Sequence, residues 1–360
     1  MGTYIDSNKG YEAFKSIYNS QYFVDKSDII HEFNKKINDC MNCICITKPR
    51  RFGKSSIAAL IISYYSESRQ DEFKKMFNTL KISGNAINKS TNHDKSSETP
   101  TMAKDKKTEL NKIKEEYEKT QGKYNTIYID FSEEIEKYDN VYEYISSIEE
   151  EIINELNNKF KKAYKIKSLL KYLQHLYNET HKKFIFVIDE WDSMFRDDLF
   201  SIDQKKYYLY YLKSLFKFQP YVAFAYMTGI LPISKSNSSK SLNNFMEYTM
   251  LEDTLFYKYF GLTENEVRNL CEINGKLKYE DMENWYNGYR NYNGEKIFNI
   301  WSVISALRNN SFNKYWVNSG SKKELRKSID FSLKGVKEEF LELIVKKKNK
   351  NEINRVRSRR

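Results

Sequence analysis

Long apolar runs are missing from this sequence. No segment approaches the ~20 consecutive apolar residues that a membrane span requires. The opening stretch MGTYIDSNKGYEAF has no apolar run of the signal-peptide kind. Gly2 is followed by Asp6 where N-myristoylation wants Ser or Thr. These absences predict a soluble, cytoplasmic protein with no membrane partner. Cysteine is scarce as well: Cys40, Cys43, Cys45 and Cys271 are the full set. A secreted disulfide scaffold of this length would normally carry more. The first three form C-x2-C-x-C, but a structural zinc site needs four ligands. Only Cys271 and four scattered His remain to complete one. Free, buried thiols in a reducing compartment are therefore expected. Repeats of fixed period are also absent.

The composition suits a packed core. Hydrophobic residues make up 40%, with 29 Tyr and 22 Phe, and 360 residues suggest about two domains. The net charge of +11 favours anionic partners such as nucleotide, nucleic acid or acidic lipid. Much of that charge sits in the tail KKKNKNEINRVRSRR, residues 346–360, which reads as a disordered, solvated arm.

Along the chain, residues 10–40 read as helical with a break at YFVDKS. CICIT (43–47) reads as a short buried strand, and KSSIAALIISYYSES (54–68) as a helix. Residues 84–123 turn polar and charged: the first half is expected to be disordered, the second half an exposed charged helix. TIYIDF (126–131) reads as a strand, 141–176 as one or two amphipathic helices, and FIFVI (184–188) as a strand buried on both faces. A helix over about 198–217 and a strand at 221–229 follow. Strands alternating with helices predict an α/β fold with a parallel sheet. After about residue 240 the pattern changes. Thr263–Glu266 forms a capping box, and Asn293-Gly294 between aromatic flanks signals a hairpin. The expected layout is an α/β domain over 1–240, then a smaller helical domain with a β-hairpin, winged-helix-like, over 241–345.

The chemistry starts at KPRRFGKSS, residues 48–56. Gly53-Lys54-Ser55 is how a phosphate-binding loop closes, yet the usual opening glycine is replaced by Lys48. A strand-to-helix turn presents inward-pointing N–H groups, and the helix adds its positive N-terminal end. Lys54 can reach β- and γ-phosphates, and the Ser55 hydroxyl can ligate Mg²⁺. A nucleotide hydrolase also needs an acid at the end of another strand to hold the metal. Asp189 follows FIFVI directly, and Glu190 comes next, suited to polarise a water as general base. Thr228 ends a further strand, where a parallel sheet collects its ligands. A plain Thr-Gly turn reads that position equally well. Arg50 and Arg51 lie in the loop and can meet phosphate, a neighbouring subunit, or a carboxylate such as Asp192. Arg196 and Arg290 are further candidates for a charge-stabilising arginine, though each reads more readily as an ordinary surface residue.

An ordered series now accumulates: YFVDKS (22–27), ITKPRRFGKS (46–55), FVIDEWD (186–192), MTGILPISK (227–235), YFGLTENEV (259–267), WYNGYR (285–290), FNIWSVISAL (298–307) and YWVNSG (315–320). In this the chain resembles the AAA-ATPase-like family, P-loop ATPases related to the AAA+ and STAND groups and seen in bacteria and anaerobic gut fungi. The resemblance covers roughly 10–320 apart from the charged insert. It implies a P-loop NTPase fold, a three-layer parallel sheet of AAA+ type, with ATP and Mg²⁺ as cofactors. The missing glycine is then a family feature, because the family also carries a basic residue before Pro-Arg-Arg-Phe-Gly-Lys-Ser. By resemblance the nucleotide is held by Pro49, Arg50, Arg51, Phe52, Gly53, Lys54, Ser55 and Ser56. Ser55 and Asp189 hold the metal, Glu190 activates water, and Thr228 stands at the sensor position. YFVDKS is expected near the nucleotide base. Phe298-Asn299-Ile300-Trp301-Ser302 departs from the family's Tyr-Asn-Pro-Trp-Ser, which loosens a turn. Many relatives continue into a PD-(D/E)xK nuclease-like domain; here a basic tail stands in its place, and no nuclease activity is expected.

Three readings follow. The first is an ATPase that couples nucleotide state to conformational change, alone, as a homo-oligomer or with a protein partner. The second is a slow or non-hydrolysing, nucleotide-gated interaction module. The third is a nucleic-acid-associated ATPase, suggested by the tail, the arginines and the Tyr-rich hairpin.

Overall fold

A computed structural model describes residues 2–85, 100–196, 199–233 and 242–315, with the backbone alone for 100–107. Residues 86–99 of the charged insert, most of YWVNSG and the basic tail lie outside the described residues. The helices are α1 (Asn8–Tyr18), α2 (Ile29–Asn34), α3 (Lys54–Tyr65), α4 (Gln70–Phe77), α5 (Pro100–Thr120), α6 (Val141–Phe160), α7 (Leu169–Thr180), α8 (Ser193–Arg196), α9 (Ile202–Phe216), α10 (Glu264–Asn274), α11 (Tyr279–Tyr286) and α12 (Ile300–Asn309). The strands are β1 (Cys43–Thr47), β2 (Asn125–Asp130), β3 (Phe184–Asp189), β4 (Val222–Gly229), β5 (Met246–Tyr248), β6 (Leu262–Thr263), β7 (Tyr289–Arg290) and β8 (Lys296–Phe298).

The apolar runs of β1, β3 and β4 suit strands covered on both faces, and every residue in all three is buried. Five parallel strands form one sheet in the order β2-β3-β4-β1-β5. Side chains alternate across it. Cys43, Cys45, Phe184, Phe186 and Ile188 pack with Ile148, Leu173 and Leu212 of α6, α7 and α9. Ile44, Ile46, Ile185 and Val187 pack against Tyr11, Phe33 and Ile61 of α1, α2 and α3. Helices therefore cover both faces. Cys43, Cys45 and Cys271 are buried free thiols, while Cys40 is exposed.

Helix α3 is apolar nearly all round because it is buried nearly all round. The charged helix read from the insert is α5, and it anchors through Tyr117, which is buried. Strands β5 and β6 had no visible sequence signal, being three and two residues long. The hairpin signalled by Asn293-Gly294 is β7–β8, and β6 joins it in a three-stranded antiparallel sheet, β6-β8-β7. Thr263 and Glu266 close the capping box of α10. Met1–Asn313 form one compact unit.

One buried ion pair ties β1 to the segment after β5. Lys48 Nζ donates to Asp253 Oδ2 at 2.6 Å and to the Thr249 carbonyl at 2.8 Å. Both charged side chains are sealed, at 1% and 0% exposure. Burial holds the Lys48 ammonium below its ordinary range, and Asp253 opposes that shift. The second Asp253 oxygen accepts from the N–H groups of Leu255 and Phe256, at 3.1 and 2.6 Å. Removing one member of a buried pair leaves an uncompensated charge, whereas replacing both by apolar groups is far milder. Lys48→Met or Asp253→Leu alone is expected to cost about 3–5 kcal/mol in urea unfolding. The double variant Lys48→Met/Asp253→Leu should lose less than the two singles summed. Strict additivity would remove the pair from this account.

Candidate functional site

The parallel register brings the carboxyl ends of β1, β3 and β4 to one edge. Thr47 stands beside Gly229 and Ile188 beside Met227, and Trp191 N donates to the Thr228 carbonyl at 3.1 Å. Ligands of parallel sheets gather at this edge.

The loop from Lys48 to Gly53 leads from β1 into α3. Gly53 caps α3 with φ 88°, a left-handed conformation that glycine adopts without steric cost. Lys54 begins the helix with its side chain buried, and its Nζ donates to the Pro49 carbonyl at 3.2 Å. Burial draws this ammonium down to about 8, against the pull of Asp189 and Asp192. Asp189 has its carboxyl pushed up to about 6 by burial, a shift that nearby Ser55 opposes. The two residues expected to share a metal thus lie near each other. Their donors are all oxygen, the chemistry a hard divalent cation takes. Among the described residues no cluster of three or more His, Cys, Asp or Glu could hold a metal. A cation here would need oxygens from a ligand and from water, which is how Mg²⁺ is usually bound.

The rest of the loop is held from the far side, by residues of the YFGLTENEV, WYNGYR and FNIWSVISAL stretches to which the sequence assigned no part in the loop. Asn299 caps α12, accepting from Ser302 N at 3.1 Å, and its Nδ2 donates to the Arg50 carbonyl at 3.2 Å. Phe52 is fully buried, edge-on to Tyr289 at 4.8 Å, and its carbonyl accepts from Gly261 N at 2.9 Å. Gly261 has φ 80°, and a Cβ there would stand 2.4 Å from Ile297. The Arg51 guanidinium lies 4.1 Å from the centre of the Trp301 ring. The pairing of the loop arginines with Asp192 does not hold: Asp192 takes Arg196 instead. Arg196 Nη2 donates to Asp192 Oδ1 at 2.6 Å and Nε to Oδ2 at 3.1 Å. The same guanidinium pairs with Glu190. Reading Arg196 as an ordinary surface residue is therefore corrected; the i,i+4 spacing of Asp192 and Arg196 was the available signal. Arg290 stays within its hairpin, donating to the Gly294 carbonyl at 2.6 Å.

Glu190 sits just beyond β3 with φ 51°. Thr228 is fully buried, and its hydroxyl donates to the Ile46 carbonyl at 2.7 Å. Ser56 lines a cavity of about 450 Å³ beside Gly53. Tyr22, Phe23 and Val24 of the YFVDKS segment line its opposite part, with Ile300 and Trp301 of α12.

Residues 8–238 match the family model described as a predicted AAA-ATPase. The chain belongs to this family. The elements that hold the loop from the far side, β6–β8 and α12, lie beyond the matched segment. The chain is also similar to an uncharacterized protein in the vnfD 5′ region of Azotobacter chroococcum mcd 1. Identity there is 25% over 146 residues, 39% of this chain and 28% of the relative. The matched region thus spans well under a third of that relative's length. No solved structure matches. No helix among the described residues is long and apolar enough to cross a membrane.

An acid whose folded pKa exceeds its unfolded value weakens the fold as pH rises between the two. Asp189, held at about 6, therefore destabilises the ligand-free protein at neutral pH. Without nucleotide or divalent cation, Asp189→Asn is expected to raise stability near neutral pH by up to about 3 kcal/mol. The gain should shrink as pH falls through about 6 and vanish below about 4. Thermal unfolding across that range checks it, and a lower midpoint for the variant at neutral pH would contradict it.

Proposed function

We propose that this predicted AAA-ATPase family member binds ATP with Mg²⁺ at the carboxyl edge of its parallel sheet and hydrolyses it. The observation that carries the reading is the buried Lys54, which opens α3 after the left-handed Gly53, close to the buried Asp189 that ends β3. Ser55 and Asp189 hold the metal, which when bound neutralises charge on the β- and γ-phosphate oxygens. Lys54 leaves the Pro49 carbonyl for the phosphates, and the loop N–H groups with the α3 N-terminus complete the anion site. Glu190 takes a proton from the attacking water. The water oxygen bonds to the γ-phosphorus as the bond to the β-phosphate oxygen breaks. Thr228 acts through the Ile46 carbonyl it already holds, positioning the end of β1. The base enters the cavity between the YFVDKS segment and α12.

Two features support the finer classification and the coupling. Strand β4 lies between the strand of the loop and the strand of the acids, which favours the AAA+ type of P-loop fold. Asn299 and Gly261 bond to loop carbonyls, so a change in the loop reaches the C-terminal elements directly. One observation favours the slower alternative, a nucleotide-gated module: one oxygen of the Glu190 carboxylate is engaged by Arg196.

Nucleotide binding and turnover on three proteins test the reading. Lys54→Ala is expected to lose ATP affinity at least tenfold, about 1.4 kcal/mol. Glu190→Gln should keep binding while turnover falls by about 10²–10⁴. Wild-type affinity in Lys54→Ala would defeat the assignment of the site.

A further inference from the structure

Glu190 is the group that must accept the water's proton, yet Arg196 occupies its carboxylate. The backbone at Glu190 has little freedom to relieve this. Its φ of 51° is left-handed, a conformation that surrounding contacts must impose. Those contacts are present: Glu190 N donates to Asp189 Oδ1 at 2.9 Å, Ser193 N to the Glu190 carbonyl at 3.0 Å, and Trp191 N to the Thr228 carbonyl. Side-chain torsions therefore decide where the carboxylate lies.

Arg196 is itself anchored. Asp192 grips it through two hydrogen bonds, and Asp192 is buried, taking the Ile230 and Leu231 N–H groups at 3.2 and 2.9 Å. When Glu190 departs, Arg196 keeps the Asp192 carboxylate and its charge remains compensated. Departure in the other direction, Arg196 leaving Asp192, would strand a buried carboxylate. The arrangement thus lets Glu190 go and keeps Arg196 in place.

We infer that Arg196, fixed by Asp192, is a positioning residue that withholds Glu190 from the attacking water and so restrains hydrolysis. The inference rests on the reading of Glu190 as general base. Release is built into the same neighbourhood. Arg196 acts electrostatically on both Lys54 and Asp189, so an anion bound at Lys54 competes with Glu190 for the guanidinium. With one oxygen held by the guanidinium, the Glu190 carboxylate is fixed in direction, and while the pair lasts it does not turn to a water at the γ-phosphate.

Steady-state ATP turnover on the full chain tests this with Arg196→Gln, Arg196→Lys, Glu190→Gln and the double variant Glu190→Gln/Arg196→Gln. Arg196→Gln is expected to raise kcat about tenfold with KM for ATP within about twofold. Arg196→Lys, which keeps a cation against Asp192, should show a smaller rise of about threefold and serves if the glutamine variant does not fold. The double variant should turn over no faster than Glu190→Gln, because the gain acts only through Glu190. A tenfold fall in kcat at unchanged KM would overturn the inference and make Arg196 a stabiliser of transition-state charge. A gain that survives in the Glu190→Gln background would overturn it too. ATP binding to Lys54→Ala is measured alongside. Loss of binding there with no gain in Arg196→Gln defeats the restraint alone; wild-type binding there defeats the nucleotide site itself.

Discussion

Lys48 occupies the loop position where a glycine is usual, and its ammonium is sealed against Asp253. The backbone at Lys48 continues the sheet, donating to the Gly229 carbonyl at 3.2 Å, while its side chain runs to the segment after β5. A glycine could do the first and not the second. A buried pair of this kind adds little net stability over an apolar pair of equal volume. What it supplies is geometry. Asp253 cannot move without stranding Lys48, and its other oxygen fixes the turn at Leu255 and Phe256. The path of the loop is thus set by a charge and its partner, where other phosphate loops rely on glycine.

The edge above that pair holds groups that folding alone would disfavour. Lys54, Asp189 and Asp192 are all buried, and burial pushes each towards its neutral form. Arg51 and Glu190 adopt positive φ within the same edge, at 68° and 51°. Non-glycine residues pay roughly 1–2 kcal/mol for that conformation. Displaced titration and backbone strain collect where a ligand is meant to relieve them. At neutral pH both Lys54 and Asp189 stay charged at a cost, and a bound anion would stabilise the one as a cation would the other. The ligand-free state carries a cost that binding removes.

Much of this was legible in the sequence, and the boundary is physical. Strand β1, the loop and α3 are contiguous, so apolar runs and Gly53-Lys54-Ser55 announce them locally. Asp189-Glu190 after FIFVI is equally local. The hairpin and the capping box at Thr263 each lie within a few residues. The missed contributors act across long separations: 205 residues part Lys48 from Asp253, and 249 part Arg50 from Asn299. Periodicity cannot report such pairings. Arg196 was misread for another reason. Its partners are near in sequence, but α8 is a single four-residue turn with no periodicity to show which way it faces.

Those distant contacts bear on how the loop binds anything. In a trans peptide the carbonyl and the following N–H point in opposite directions. Asn299 takes the Arg50 carbonyl and Gly261 takes the Phe52 carbonyl, both from the side of the C-terminal elements. The N–H groups of Arg51 and Gly53 are turned the other way as a consequence. A nest for phosphate needs several N–H groups turned to one side together. The C-terminal elements therefore shape the proposed phosphate site from outside the loop. Arg51 on Trp301 adds a side-chain hold at the same place. Any ligand that changes the tilt of these peptides must strain or release the Asn299 and Gly261 bonds. The loop and the C-terminal elements are thereby tied to each other, and this is the physical basis for the coupling of nucleotide state to shape proposed above.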